Sequence, residues 1–353
     1  MLKSGKVCDM AFVPELVRVG EVGTVGGVRL GHPLVDAYLD LVAARCRPNT
    51  VLAQAFDLKV FFTVVQLEPA QVRAAEVLAF IAAQRAPRRG RNVVRLEDGE
   101  AGLSARTIKR RLASVAGLFD YLIVRGDAGV NSNPVPRGLA TRRGGDRAVR
   151  GVPLIRAPRT LPRVIEPVDV DRFVAALRTD RDRAMVDAML LGGLRRCEVL
   201  SLRLQDIDPG RRRVFVTEGK GGHQRIVPVS GRFFDVLAGY LSAERPVDAD
   251  TDAVFVVLKG PRRGGPLTAA GLDQIVAGAR GRAGIEHLTC HQLRHTCFTR
   301  LREAGMALEA IQAQAGHRSI ESTRLYLQLA NTWLAEEYAR AMQAIDAQAI
   351  GGW

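Results

Sequence analysis

Apolar residues recur every three or four positions through most of the first half of the chain. This spacing places apolar side chains on one side of a helix, and it predicts four helices: 33–46, 50–66, 69–85 and 104–125. Pro69 stands at a typical first helical position, and Ser104 is a residue type that caps helix starts. Residues 86–103 are polar and predict a loop, while residues 1–30 show little periodicity and predict a loosely structured lead-in.

The second half of the chain mixes two periodicities. Residues 212–217 and 224–229 alternate β-branched and polar side chains around a glycine-rich tip, which predicts a β-hairpin. Residues 253–258 predict another short strand. Helical patterns occupy most of the remainder: 168–178, 180–191, 268–283, 291–304, 307–315, 319–329 and 332–347. The predicted fold is therefore mainly α with a small antiparallel β-sheet.

The segment 136–165 separates these two halves. It is rich in glycine and proline, which is typical of a linker between domains. The predicted organisation follows from it: lead-in 1–30, helical domain 31–135, linker 136–165, α+β domain 166–330 and C-terminal helix 331–353.

Positive charge is concentrated in the same linker. The chain carries a net charge of +14, and residues 136–165 supply half of it through eight arginines against one aspartate. Such an excess favours a polyanionic partner. Arg142, Arg143, Arg147 and Arg150 are therefore candidate contacts to DNA phosphates, with a merely solvated tether as the alternative.

Five cysteines stand at irregular spacing, which does not favour a disulfide framework. We therefore expect a reducing compartment, the cytoplasm. We expect no membrane association, because no apolar run reaches transmembrane length and no apolar stretch typical of a signal peptide follows the basic start.

Five motifs follow one another in the second half of the chain: Gly193-Leu194-Arg195 with Glu198, Gly219-Lys220-Gly221 with Arg225-Ile226-Val227-Pro228-Val229, His291-Gln292-Leu293-Arg294-His295, Gly316-His317, and Tyr326. In order and separation they resemble the motifs of the tyrosine recombinase (phage integrase) family. The resemblance covers about residues 166–330, and the helical first half fits the core-binding domain of that family. Ala315 and the pair Arg196-Cys197 depart from the commoner residues at noncatalytic positions.

The resemblance implies a site-specific recombinase that cuts and rejoins DNA through a covalent 3′-phosphotyrosyl intermediate on Tyr326. Two guanidiniums suit the charge that develops on the phosphate, which assigns Arg195 and Arg294 to a phosphate clamp. Lys220 is implied to protonate the leaving 5′ oxygen. No metal and no nucleotide cofactor are required.

The remaining motif residues are implied to support this chemistry. His291 assists the tyrosine, His317 donates a hydrogen bond to the phosphate, and Glu198 orients a cationic or histidine side chain. A rival interpretation makes His287, Cys290, His291, His295 and Cys297 a metal site, but paired Cys-x-x-Cys spacing is missing. Cys290 and Cys297 are more typical of small buried apolar residues.

The expected partners are double-stranded DNA and three further copies of the chain, which form a tetramer on paired sites. Other recombinases or accessory proteins are further expected partners. The C-terminal helix packs either on its own domain or on a neighbouring copy. Two alternatives stay open: a type IB topoisomerase with the same chemistry, and a catalytically silent DNA-binding protein of the same fold.

Overall fold

The structure is a computed structural model that describes residues 12–19, 27–86, 102–136, 154–156, 163–217 and 224–316, together with 323, 338–340 and 342–343. The chain divides into two compact units, Met1–Arg159 and Thr160–Trp353. Helices dominate both units and the sheets are small and antiparallel, which confirms the predicted fold class. No helix in the described ranges has the length and apolar character needed to cross a membrane.

The first unit is a group of helices preceded by a short pair of strands. Its elements are β1 (Val17–Val19), β2 (Gly27–Arg29), α1 (Pro33–Arg45), α2 (Pro48–Val65), a 3₁₀ turn (Pro69–Gln71), α3 (Ala74–Arg85) and α4 (Ala105–Arg125). The hydroxyl of Ser104 accepts the Thr107 backbone N–H at 3.2 Å, which confirms the predicted helix cap.

Two features of this unit differ from the sequence prediction. β1 and β2 pair antiparallel, with Val17 opposite Arg29, within the expected unstructured lead-in. They are three residues long and β1 is fully exposed, so they leave no alternating pattern to detect. The third predicted helix begins at Ala74 instead of Pro69, because the Glu76 carboxylate accepts the Arg73 backbone N–H at 2.8 Å and sets a new helix start there.

A buried carboxylate ties α2 to α4. Asp57 on α2 is 2% exposed, within a core that contains the buried residues Phe61 and Phe119. Its Oδ2 accepts the Arg110 Nη1–H at 2.6 Å and the Ser114 hydroxyl at 2.9 Å, both from α4. Because the carboxylate has lost its water, these donors are required for its burial.

We predict that Asp57→Ala destabilises the first unit by about 3 kcal/mol, because the buried Ser114 hydroxyl and the Arg110 guanidinium lose their shared acceptor. Amide hydrogen exchange of peptides from α2 and α4 measures this free energy. Asp40→Ala is the control, since Asp40 is exposed and pairs only with Arg29 at the surface, and it should cost less than about 1 kcal/mol. Equal protection in the two variants would contradict the prediction.

The second unit surrounds a small sheet with helices. Its elements are α5 (Pro167–Ala175), α6 (Asp180–Leu190), α7 (Arg196–Leu200), a 3₁₀ turn (Leu204–Asp206), β3 (Ile207–Asp208), β4 (Arg213–Val216), β5 (Arg225–Pro228), α8 (Gly231–Gly239), a π-helical turn (Tyr240–Glu244), α9 (Ala269–Arg282), α10 (Cys290–Glu303) and α11 (Leu308–Ala315). The antiparallel sheet has the order β3-β4-β5, and Val216 pairs with Arg225. The predicted hairpin strands are confirmed.

The strand predicted at 253–258 is wrong. This segment forms only isolated bridges, one from Ala253 to Arg203 and one from Val256 to Pro266. The buried Tyr240 hydroxyl donates to the Val254 carbonyl at 3.0 Å and accepts the Val256 N–H at 3.2 Å. The Tyr240 hydroxyl thus hydrogen-bonds the main-chain groups that a neighbouring strand would otherwise bind. Strand β3 and helix α8 were not predicted.

Helix α6 forms the centre of this unit and packs against both α8 and α10. Its side chains are almost all buried, including Ala184, Met185 and Met189. The arrangement fixes the C-terminal end of α6 beside α10, and the turn that follows α6 carries the first predicted site residue.

Candidate active site

A tight turn after α6 brings Arg195 close to α10. Gly193 adopts φ +66°, and a Cβ atom there would lie 2.4 Å from Cζ of Phe298 on α10. Any other residue would therefore clash with the ring and strain the backbone. The Leu194 N–H donates to the Ala188 carbonyl at 3.1 Å, which closes the turn and starts α7 immediately after Arg195.

Glu198 lies at the centre of the site and is fully buried. Its carboxylate accepts the Arg195 backbone N–H at 2.8 Å and the Arg195 Nη1–H at 2.7 Å. Arg225 binds it bidentately, through Nη1 at 2.9 Å and Nη2 at 2.8 Å. Arg294 Nη1 lies 3.8 Å away. Three guanidiniums therefore surround one carboxylate.

The ionisation of Glu198 follows from these contacts. Burial by itself would raise the pKa of this carboxyl. The hydrogen bonds from Arg225 and the Arg195 backbone, with the charges of both guanidiniums, outweigh burial and lower the pKa to about 2. Glu198 is therefore a permanent anion at physiological pH.

The same guanidiniums hold the end of α11. Its last carbonyls belong to three consecutive residues, and each accepts from a different arginine: Gln314 from Arg225 Nε at 3.0 Å, Ala315 from Arg294 Nη2 at 2.6 Å, and Gly316 from Arg195 Nη2 at 3.4 Å. The C-terminal end of a helix carries partial negative charge and unsatisfied carbonyls. The arginines satisfy these carbonyls.

Arg294 is held more tightly than its neighbours. It is 2% exposed, its Nη1 donates to the Gly193 carbonyl, and its Cζ lies 4.8 Å from the centre of the Phe298 ring. A guanidinium fixed by hydrogen bonds and an aromatic face keeps one orientation. Such preorganisation suits a group that must bind a developing charge.

His291 and His295 form a pair one turn apart on α10. Their Nε2 atoms are 2.8 Å apart. Desolvation and the charges of Arg294 and Arg195 lower the pKa of His291, and desolvation with the charges of His291 and Arg294 lowers the pKa of His295 to about 4. Both rings are therefore neutral at physiological pH. One Nε2 must donate and the other accept, so the tautomers of the two rings are coupled.

A cleft of about 610 Å³ opens beside these residues, and its lining includes Arg195, Arg196, Arg280, His291 and Arg294. Asp273 also lines it, but Arg196 already pairs with that carboxylate. The half-buried Arg280 guanidinium makes no hydrogen bond or ion pair within the described ranges. The cleft is therefore suited to an anion.

The structure brings together four of the predicted site residues: Arg195, Glu198, His291 and Arg294. Lys220, His317 and Tyr326 lie outside the described residues, as do Arg142, Arg143, Arg147 and Arg150.

Two further residues contact the predicted site residues and had no predicted role in the recombinase site. Arg225 stands within the hairpin motif and His295 within the His-x-x-Arg motif, so their positions were visible in the sequence. Their contacts were not, because the sequence does not show which side chain faces Glu198 or His291.

The alternative metal site gains no support from the described ranges. They contain no group of three or more His, Cys, Asp or Glu side chains arranged to hold a metal ion. Cys290 and Cys297 are buried, and burial raises the pKa of their thiols, to about 11 and about 12. This environment agrees with the prediction that both pack as small apolar residues.

Known proteins resemble this chain over both units. The profile described as "Phage integrase family" matches residues 163–332. The tyrosine recombinase XerC of Corynebacterium efficiens is 32% identical over 248 residues, which are 69% of this chain and 73% of that protein. The tyrosine recombinase XerC of Chromohalobacter salexigens is 30% identical over 323 residues, which are 88% of this chain and 95% of that protein.

Solved structures share the fold at lower identity. The XerH site-specific recombinase bound to palindromic difH substrate, in a post-cleavage complex, has a TM-score of 0.63 and 18% identity, covering 87% of this chain and 84% of that one. The Tn1549 transposon integrase in complex with transposon right end DNA has a TM-score of 0.62 and 18% identity, covering 87% and 99%.

We predict that Glu198→Gln lowers stability at about pH 7 and loses this effect in acid. A folded-state pKa of about 2, below the ordinary 4.5, gives a contribution that is fully present above pH 4.5 and is lost as the pH falls towards 2. Its size is about 3 kcal/mol. Urea unfolding of both proteins at about pH 7 and about pH 3 measures the difference.

The control for this measurement is Glu303→Gln, because Glu303 is exposed near the end of α10. It should shift stability by less than about 0.5 kcal/mol at either pH. A difference between wild type and Glu198→Gln that stays constant with pH would contradict the assignment of Glu198 as the buried anion.

Proposed function

The chain belongs to the tyrosine recombinase (phage integrase) family and is a DNA strand-exchange enzyme, and we propose that Tyr326 is its nucleophile and that Arg195 and Arg294 bind the scissile phosphate. The observation that carries this proposal is the buried Glu198, which holds the two clamp arginines at the edge of a cationic cleft.

The reaction is a pair of transesterifications. The phenolic oxygen of Tyr326 attacks the scissile phosphorus, the bond to the 5′ oxygen breaks, and the products are a 3′-phosphotyrosyl ester and a free 5′ hydroxyl. A 5′ hydroxyl from the partner DNA then attacks the ester and releases Tyr326. Each step exchanges one phosphoester for another, so no nucleotide is needed to supply energy.

Negative charge builds on the non-bridging oxygens when the phosphorus is attacked. Arg195 and Arg294 counter it from fixed positions, because their guanidiniums already bind Glu198, Gly193 and the end of α11. Donors that need no rearrangement at the moment of reaction stabilise the transition state most. In P-loop and related phosphoryl transfers, arginines act on the same principle.

Proton transfer is assigned to the remaining motif residues. Lys220 protonates the leaving 5′ oxygen, His291 accepts the proton of Tyr326, and His317 donates a hydrogen bond to the phosphate. The lowered pKa of His291 supports its part, since only the neutral ring can accept a proton. His291 has a free acceptor nitrogen, Nδ1, when its Nε2 donates to Nε2 of His295.

Double-stranded DNA is the substrate. Arg280 lines the cleft and its guanidinium has no hydrogen-bond or ion-pair partner among the described residues, so it is suited to a phosphate next to the scissile one. We assign further phosphate contacts to Arg142, Arg143, Arg147 and Arg150 in the linker 136–165. We also propose the organisation lead-in 1–30, core-binding domain 31–135, linker 136–165 and catalytic domain 166–330, in which both domains bind the duplex.

Four protomers bring two DNA sites together in this proposal, and the helix 331–353 packs on a neighbouring protomer. Other recombinases or accessory proteins can take part in the assembly. The DNA substrate and the free cysteines among the described residues support a cytoplasmic location. XerC relatives and a transposon integrase both resemble the chain, which agrees with chromosome resolution or with a mobile element.

We predict that Tyr326→Phe binds the DNA site normally but forms no covalent adduct on a nicked suicide substrate, because the variant lacks the attacking oxygen. The adduct is measured by denaturing gel electrophoresis and binding by mobility shift. Tyr338→Phe is the control, since Tyr338 is 66% exposed, and it should form adduct at the wild-type rate.

The outcomes of this experiment separate the alternatives. Adduct from Tyr326→Phe would remove Tyr326 as the nucleophile, and no adduct from wild type would indicate a silent DNA-binding protein. Relaxation of supercoiled DNA without site preference by a monomer would indicate a topoisomerase.

We further predict that Arg280→Ala makes the salt dependence of DNA binding less steep, because one phosphate contact is lost. The slope of log K, the association constant for DNA, against log salt concentration should fall in magnitude by about 1. Fluorescence anisotropy at several salt concentrations measures this slope. Arg282→Ala is the control on the same helix, since Arg282 donates to the Ala176 carbonyl instead of lining the cleft. Identical slopes for the two variants would remove Arg280 from the DNA interface.

The same titration tests the linker. Joint replacement of Arg142, Arg143, Arg147 and Arg150 by alanine should reduce the slope by about 3.6, since each phosphate contact contributes about 0.9. An unchanged slope would leave residues 136–165 as a plain tether.

A further inference from the structure

Arg225 is the first residue of β5, and its side chain is 11% exposed. Each of its three guanidinium nitrogens donates to the protein: Nη1 and Nη2 to Glu198 at 2.9 and 2.8 Å, and Nε to the Gln314 carbonyl at 3.0 Å. We propose that Arg225 is a positioning residue that keeps the Glu198 carboxylate and the end of α11 in place while Arg195 and Arg294 bind the phosphate. The inference rests on the proposed function.

Three guanidiniums share Glu198 and the last carbonyls of α11, but their contacts differ. Arg195 has a more exposed side chain, 21%, and its bond to the Gly316 carbonyl is long, 3.4 Å. Arg195 also lines the cationic cleft, whereas Arg225 does not. Arg195 can therefore direct its remaining N–H groups at a phosphate in the cleft while it keeps its bond to Glu198. Arg225 instead uses all three of its guanidinium nitrogens on the protein.

Arg225 joins segments that carry other parts of the proposed chemistry. Lys220 stands shortly before Arg225 in the chain, and His317 directly follows Gly316. Gly316 adopts φ +60°, and a Cβ atom there would lie 3.1 Å from Cδ of Arg225. A glycine is thus required for the end of α11 to approach this side chain so closely. Arg225 thus contacts Gln314 and Gly316, which stand just before His317 in the chain, and itself stands just after Lys220.

Electrostatics explain why this anchor affects the reaction. Glu198 is fully buried, so its charge must be balanced by the guanidiniums around it. Without Arg225 the carboxylate would be balanced by Arg195 and Arg294 alone. Arg195 and Arg294 would then turn more of their N–H groups toward Glu198 and fewer toward the phosphate. The rate of cleavage should therefore fall, although the protein surface that binds DNA is unchanged.

The test compares Arg225→Gln, Arg225→Lys, Glu198→Gln and the double variant Glu198→Gln/Arg225→Gln. Covalent adduct formation is followed in single turnover at saturating nicked DNA, and binding is measured separately. We expect Arg225→Gln to cleave about 10- to 100-fold more slowly with DNA affinity within about threefold of wild type. Arg225→Lys should recover part of the rate, because it keeps the charge but loses the bidentate fork.

The double variant tests whether Arg225 acts through Glu198. If it does, the two losses are not multiplicative, and the double variant is no slower than the worse single variant by more than about threefold. Losses that multiply would show independent effects and overturn the inference. Thermal unfolding shows whether Arg225→Gln folds. If it does not, the comparison uses the double variant Glu198→Gln/Arg225→Gln, in which both side chains are neutral, and Arg225→Lys.

Arg213→Gln is the matched control. Arg213 lies on β4 of the same sheet and pairs with Asp208 at 2.8 Å, away from Glu198. It should cleave at the wild-type rate. If wild type forms the Tyr326 adduct and Arg225→Gln equals Arg213→Gln, the inference on Arg225 fails and the proposed function stands. If wild type forms no adduct, the proposed function fails first.

Discussion

A single buried negative charge organises the second unit of this protein. Glu198 has no exposed surface, and a carboxylate without water is stable only when donors surround it. Arg195 binds it from the first turn of α7, Arg225 from the start of β5, and Arg294 approaches it from α10. The need to balance this charge thus joins three parts of the fold at the place where we propose that the phosphate binds. The lowered pKa of Glu198, about 2, shows that these donors outweigh the effect of burial on the carboxylate.

The end of α11 provides the second set of acceptors. The three guanidiniums that surround Glu198 also donate to the carbonyls of the last two residues of α11 and of the following Gly316. Two glycines allow this density of contacts, since a Cβ atom at Gly193 would clash with Phe298 and one at Gly316, where φ is +60°, would crowd Arg225. The arginines are therefore fixed before any substrate arrives. Fixed cations stabilise a charged transition state better than cations that must first rearrange.

Relatives near 30% identity resemble this chain in sequence, and a solved structure at 18% identity shares its fold. The identity extends through most of the chain in one XerC relative, so it includes the helical first unit as well as the catalytic motifs. In the first unit, too, a buried carboxylate is paired across helices, with Asp57 of α2 bound by α4. Both units thus use a buried acid to fix the position of basic side chains.

The sequence by itself determined most of the described helices, the hairpin β4-β5 and the family, because periodicity is local and the motifs keep their order along the chain. It also identified Arg195, Glu198, His291 and Arg294 as candidates, and the structure brings these four together. It did not predict β1 and β2, which are too short to show a pattern, and it placed a strand at 253–258, where the Tyr240 hydroxyl takes the main-chain groups instead. Only the tertiary structure revealed the contacts of Arg225, since its partners stand 27 and 89 residues away in the chain. Contacts over such separations depend on how packed helices bring distant segments together, and no local pattern records them.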